Sequence, residues 1–274
     1  MNEKNKNLLA RVISALVLLP VVLWLFWRGG YWTAGLLAVT AAVCASEYFT
    51  IVGKTLGPAQ WVGMAAAALF PILPPWLGVG FPAGAFWTVL AVFFFAWIFH
   101  LIKGPLPEAP TRAAHLITGV LYAGLGLAAL AATRLLDHGF AWVVCALVIT
   151  WGNDTSAYFA GRFLGRHKLY PAVSPNKTWE GFVGGLCGSV LGLFIMRWFF
   201  FPQLPVSACF LVGTLGGLLG PLGDLCESML KRAYQVKDSG TLLPGHGGFL
   251  DRIDALLFNA PLVFLYAISL GRGL

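Results

Sequence analysis

Apolar runs of about 20 residues, parted by short polar stretches, recur along the whole chain, and that is the length an α-helix needs to cross a bilayer. The runs lie near residues 8–27, 31–51, 61–79, 83–102, 113–133, 140–161, 179–201, 206–230 and 253–271. They predict about nine transmembrane helices and an all-α integral membrane protein. Pro71, Pro74 and Pro75 fall in the third run and predict a break or kink there. The first run is too long for a removable signal peptide and has no small-residue cleavage site, so it is expected to be an anchor.

Composition agrees with the pattern. Hydrophobic residues make up 58% of the chain and charged residues 11%, against about 25% charged in soluble domains. No loop is long enough to fold alone. The expectation is one polytopic domain over residues 1–274, with scaffold helices in 1–133, where Glu47 is the main polar feature, and a catalytic portion in 134–274. The five cysteines are scattered through apolar runs with no paired spacing, which suits small buried side chains rather than metal ligands or disulfides.

Basic residues orient the helices. With the N-terminus inside, 14 of the 18 Lys and Arg residues fall on the cytoplasmic side, and Arg28, Arg134, Arg197 and Arg272 on the other. This predicts a multi-pass protein of the inner, cytoplasmic membrane whose chemistry faces the cytoplasm. The net charge of +7 suits anionic lipid headgroups and nucleotides. No basic surface interleaved with aromatics argues for nucleic acid.

Two polar segments interrupt the apolar chain. Ser228 to Asp254 holds Lys231, Arg232, Lys237, Asp238, His246, Asp251, Arg252 and Asp254. Its cations can neutralise phosphates, and its aspartates are the oxygen ligands that Mg²⁺ takes one or two at a time beside phosphate and water. Gly247 and Gly248 let backbone N–H groups approach an anion. Gly161 to Gly181 carries Arg162, Arg166, His167, Lys168 and Lys177, with Ser174-Pro175 expected as a turn and Thr178 as a helix cap. Within the runs themselves Glu47, Asp154 and Asp224 are costly unless they face a cavity or a partner. Asp224 follows Gly216, Gly217, Gly220 and Gly223, which allow close helix approach or a broken helix.

The order Ser228-x-Leu-Lys-Arg, four residues, Lys237-Asp238, then His246-Gly-Gly and Asp251-Arg-Ile-Asp254 resembles the signature of the phosphatidate cytidylyltransferases, the CDP-diacylglycerol synthases. Asp154 to Gly161 and Ser174 to Gly181 resemble further elements of that family, with Ser156 where it has glycine. The resemblance covers mainly residues 150–260. It implies an enzyme of phospholipid biosynthesis that joins CTP and phosphatidic acid into CDP-diacylglycerol and pyrophosphate, and it implies a homodimer. On this reading Asp224, Lys231, Arg232, Asp238 and Asp251 carry the chemistry. Asp154, Ser174, Lys177, Lys237, His246, Gly247, Gly248 and Arg252 bind substrate. Asp224, Asp251 and Asp254 hold Mg²⁺, and the resemblance also allows a monovalent cation such as K⁺. Two other functions use similar groups: a CTP-dependent transferase acting on another lipid, and an ion-coupled transporter with acids near the midplane.

Overall fold

The computed structural model describes residues 19–242 and 247–271, so the start of the first run, residues 8–18, and His246 lie outside the described residues. Helices dominate. In order they are α1, described over Leu19–Arg28, α2 (Gly30–Gly53), α3 (Pro58–Leu77), α4 (Phe81–Lys103), α5 (Ala109–Arg134), α6 (Gly139–Leu164), α7 (Trp179–Phe199), α8 (Val206–Ala233) and α9 (Leu250–Gly271). A two-stranded antiparallel ladder, β1 (Lys168–Tyr170) and β2 (Ser174–Thr178), lies between α6 and α7. Among the described residues six helices, α2, α4, α5, α7, α8 and α9, are long and apolar enough to cross a membrane. The chain is therefore a helical, multi-pass membrane protein. α3, with its prolines, and α6, with its Asn153-Asp154 pair, fall outside that set of six.

The chain divides into two compact units, residues 1–135 with 236–252, and residues 136–235 with 253–274. In the first unit α2, α3 and α5 pack closely because glycine leaves room for aromatic rings. A Cβ at Gly63 or Gly119 would come within 2.9 or 2.4 Å of the buried Phe49 ring. Pro71, Pro74 and Pro75 fall in the last two turns of α3, which runs unbroken to Leu77 before a 3₁₀ turn at Gly78–Gly80. Arg134, ending α5, donates from Nε to the Phe26 carbonyl at 2.6 Å and from a terminal nitrogen to that of Trp27 at 2.8 Å. It thus satisfies carbonyls that the end of α1 leaves open. On α4, Phe86, Trp87, Phe94, Trp97 and Ile98 are exposed, as expected of a lipid-facing surface.

In the second unit α6, α7 and α8 approach through a glycine stripe. Gly188 lies opposite Ser156, where an added Cβ would sit 2.5 Å from the Ser156 Cβ, so the missing glycine at 156 is compensated on the facing helix. Pro221 in α8 has no N–H to give the Gly217 carbonyl, and the buried Asn153 Nδ2 of α6 donates to it instead at 3.1 Å. The same Nδ2 lies 3.2 Å from Ser189 Oγ of α7. α8 is continuous, so its glycines serve close approach and not a break.

Candidate active site

A cavity of about 640 Å³ opens in the second unit, lined by α6, both strands, the start of α7 and the C-terminal half of α8. Asp154, Ala157, Tyr158 and Gly161 line it together because spacings of 3, 4 and 7 residues place them on one helix face. Thr178 closes the opposite wall. Its hydroxyl accepts from the Gly181 N–H at 3.1 Å, making it the N-cap of α7 as its sequence context predicts. A Cβ at Gly181 would stand 2.9 Å from the Ala157 carbonyl, so this glycine is what lets α7 start against α6.

The expected turn at Ser174-Pro175 is instead the start of β2, in which Ser174 pairs with Tyr170 and Thr178 with Lys168. A residue before proline favours extended backbone, and proline's missing N–H is tolerated near a strand's start. The chain reverses one step earlier, at Pro171–Val173. Glu180 fixes the hairpin's entry, accepting from His167 Nδ1 at 2.6 Å and from the His167 backbone N–H at 3.3 Å.

Lys177 reaches from β2 into the cavity. Its Nζ lies 2.8 Å from Asp224 Oδ2 and 3.5 Å from the Pro221 carbonyl. The other Asp224 oxygen accepts from Ser228 Oγ at 3.2 Å. Asp254 on α9 stands beside Glu227, with the carboxylates of Asp224 and Asp154 close by. Glu227 is buried and pairs with the buried Lys231 through Oε2 at 2.9 Å. Asp154, Asp224, Glu227 and Asp254 thus stand with two lysines, an excess of acid. Carboxyl groups gathered this closely repel one another unless a proton or a cation stands between them. Arg232 is exposed, and its Nε donates to the Val173 carbonyl at 3.3 Å.

Asp238, Asp251, Lys237, Arg252, Gly247 and Gly248 belong to the first unit. Lys237, Asp238 and Arg252 are exposed. Asp251 Oδ2 accepts from the N–H groups of Ser239 at 3.0 Å and Gly248 at 2.9 Å. Gly247 adopts φ 77°, a left-handed conformation that favours glycine. In the second unit Asn153 and Asn176, which the sequence pattern does not single out, line the cavity together with Arg162 of the basic segment. Asn153 carried a signal, being an amide in an apolar run one residue from Asp154.

Among the described residues no group of three or more His, Cys, Asp and Glu side chains is placed to hold a metal by protein ligands alone. Mg²⁺ does not need such a cage, since one or two carboxylates with substrate phosphates and water are its usual set. The acid excess around Asp224 and Asp254 fits that requirement.

These features define a class, a multi-pass helical membrane protein with a charged cavity set among its helices. Within that class the chain belongs to the cytidylyltransferase family, whose model matches residues 9–270. It is similar to proteins named phosphatidate cytidylyltransferase from Staphylococcus haemolyticus, at 43% identity over 158 residues, 58% of this chain and 60% of that one. It is equally similar to those of Staphylococcus epidermidis and Staphylococcus aureus, at 43% over 157 residues, 57% of this chain and 60% of each relative. The matched stretch thus spans about three-fifths of these relatives' length.

Proposed function

We propose that this chain is a membrane nucleotidyltransferase that transfers the cytidylyl group of CTP to phosphatidic acid, giving CDP-diacylglycerol and pyrophosphate. The observation that carries the reading is the Lys177–Asp224 pair inside a cavity lined by Asp154, in a chain of the cytidylyltransferase family. Family membership gives the transporter reading no support.

The lipid's phosphate monoester has a second pKa of about 6, as phosphorylated side chains do, so at neutral pH it is largely dianionic and needs no general base. One of its oxygens attacks the α-phosphorus of CTP. The bond from that phosphorus to the β-phosphate oxygen breaks, and pyrophosphate leaves with the electron pair. The protein's work is then charge neutralisation and alignment. Lys177 neutralises phosphate oxygens, and Asp224 keeps its ammonium pointed into the cavity. Arg232 adds an exposed cation. Lys231, held by Glu227, sets the charge and position of that acid beside Asp254. Ser174, Lys237, Asp238, Gly247, Gly248 and Arg252 keep their assigned roles on the sequence pattern. Asp224 and Asp254 would hold Mg²⁺, with Asp251 assigned to it from the pattern alone. The ion supplies Lewis-acid stabilisation of the phosphoryl oxygens and the leaving pyrophosphate.

The charge split further supports nine crossings, an inner-membrane location and a cytoplasmic site. The homodimer and a second, monovalent cation rest on the resemblance. The deciding experiment measures pyrophosphate release from CTP by the purified protein with Mg²⁺. Release that requires phosphatidic acid is expected. Release with another lipid phosphate, but not with phosphatidic acid, moves the protein to a different acceptor, and no release with any acceptor overturns the reading.

A further inference from the structure

Glu47 stands in the last two turns of α2, an apolar helix, and is buried. Such a carboxylate needs partners, and its partners are about 200 residues further along the chain. Oε1 accepts from the Phe249 N–H at 2.9 Å, and Oε2 accepts from the Leu250 N–H at 2.8 Å. These N–H groups belong to the start of α9, which the helix itself cannot satisfy. The residue before α9 is Phe249, which has no side-chain acceptor to cap it. Glu47 does that work from a distant helix.

The same carboxylate reaches Asp251 through one hydroxyl. Ser239 Oγ lies 3.0 Å from Glu47 Oε2 and 3.0 Å from Asp251 Oδ2, and it accepts from the Asp251 N–H at 3.3 Å. A hydroxyl has one proton, so Ser239 can donate to only one of the two acids at a time. Its position ties them together. Two glycines make the room: a Cβ at Gly240 would stand 2.5 Å from Glu47 Oε1, and one at Gly248 would stand 2.8 Å from Oε2. The neighbourhood of Gly240 and Gly248 is therefore shaped around Glu47.

We infer that Glu47 is a positioning residue for the transfer reaction, fixing the Asp251 carboxylate through Ser239 and through the first N–H groups of α9. The inference rests on the cytidylyl-transfer reading and adds a residue outside the signature segment. Glu47→Gln keeps the volume but replaces one acceptor with an N–H₂ that faces backbone donors. Ser239→Ala removes the bridge, and with it the acceptor of the Asp251 N–H, and leaves the two backbone bonds of Glu47 in place.

The test uses the purified full-length protein and two readouts, amide hydrogen exchange over residues 248–252 and CTP turnover across a Mg²⁺ titration. Loss of a supporting hydrogen-bond partner costs about tenfold or more, so Glu47→Gln should lower kcat and raise half-saturating Mg²⁺ by that order while leaving KM for phosphatidic acid within about twofold. Its amides at Phe249 and Leu250 should exchange faster. Ser239→Ala should shift Mg²⁺ dependence in the same direction with those two amides still protected. A wild-type Mg²⁺ response in Ser239→Ala overturns the inference, including where Glu47→Gln does not fold. Wild-type exchange in a folded Glu47→Gln protein overturns it as well. If the wild type turns over no CTP with phosphatidic acid, the functional reading fails by that result alone, and the catalytic part of the inference falls with it.

Discussion

Lys177 Nζ and Asp224 Oδ2 lie 2.8 Å apart, joining a two-stranded hairpin to a helix whose residues are 47 positions further along the chain. The Lys177 and Asp224 side chains are 24% and 36% exposed, so solvent screens the pair and its contribution to stability is at most about 1 kcal/mol. Its value lies in placing charge in the cavity.

Lys177→Met should therefore cut turnover by about 100-fold, the scale of losing one electrostatic stabiliser of a transition state. Thermal unfolding should move little. Asp224→Asn should lose most Mg²⁺-dependent turnover, and the double variant should be little worse than either single, because the two act as a unit. Additive losses in steady-state rates would show that the residues work separately.

Asn153 and Pro221 make a second pair with a measurable signature. Asn153→Ala leaves the Gly217 carbonyl buried without its donor, which costs about 1–3 kcal/mol. Pro221→Ala restores an N–H four residues beyond Gly217 and lets the helix satisfy that carbonyl itself. The Asn153→Ala penalty should shrink in the Pro221→Ala background. Equal penalties in both backgrounds, measured by thermal or chemical unfolding in detergent, would refute the compensation.

The helices were legible because a bilayer imposes length and hydrophobicity on each segment, so nine apolar runs map onto nine described helices within a few residues at most ends. The acids were legible as costs: Asp154 and Asp224 stand out in apolar runs, and both line the cavity. Partnership was not legible. Nothing local to Glu47 names Ser239 or Phe249, since those contacts form only when distant segments pack. The Ser174-Pro175 dipeptide misled because it fits a turn and an extended strand start equally well, and the pairing with Tyr170 decides between them. Nor does anything local to Gly248 show that its N–H donates to Asp251.

The charge split gives a topological prediction. Ala172 in the hairpin and Thr241 in the signature segment are both exposed. Cysteine placed at either position in a cysteine-free background should escape an impermeant label applied outside intact cells and react after the membrane is opened. Labelling of either from outside would place that segment on the wrong face for cytoplasmic nucleotide.

Glu227 and Lys231 differ from the Lys177–Asp224 pair in burial, and that changes the expected result of mutation. Their side chains are 1% and 10% exposed, so removing one partner strands a charge away from water at a cost of about 3–5 kcal/mol. Lys231→Met alone should lower the unfolding temperature and the yield of folded protein, where Arg232→Gln, at an exposed position, should not. Removing both charges strands neither. Glu227→Gln also presents an N–H donor to Asp254, replacing the proton or cation that two carboxyl groups would otherwise share. The Glu227→Gln, Lys231→Met double variant should then be more stable than either single, while its turnover stays low because the acid beside Asp254 is gone. Thermal unfolding of the four proteins in detergent closes the cycle, and a double variant whose loss equals the sum of the singles would refute the pairing as the reason these two residues are buried.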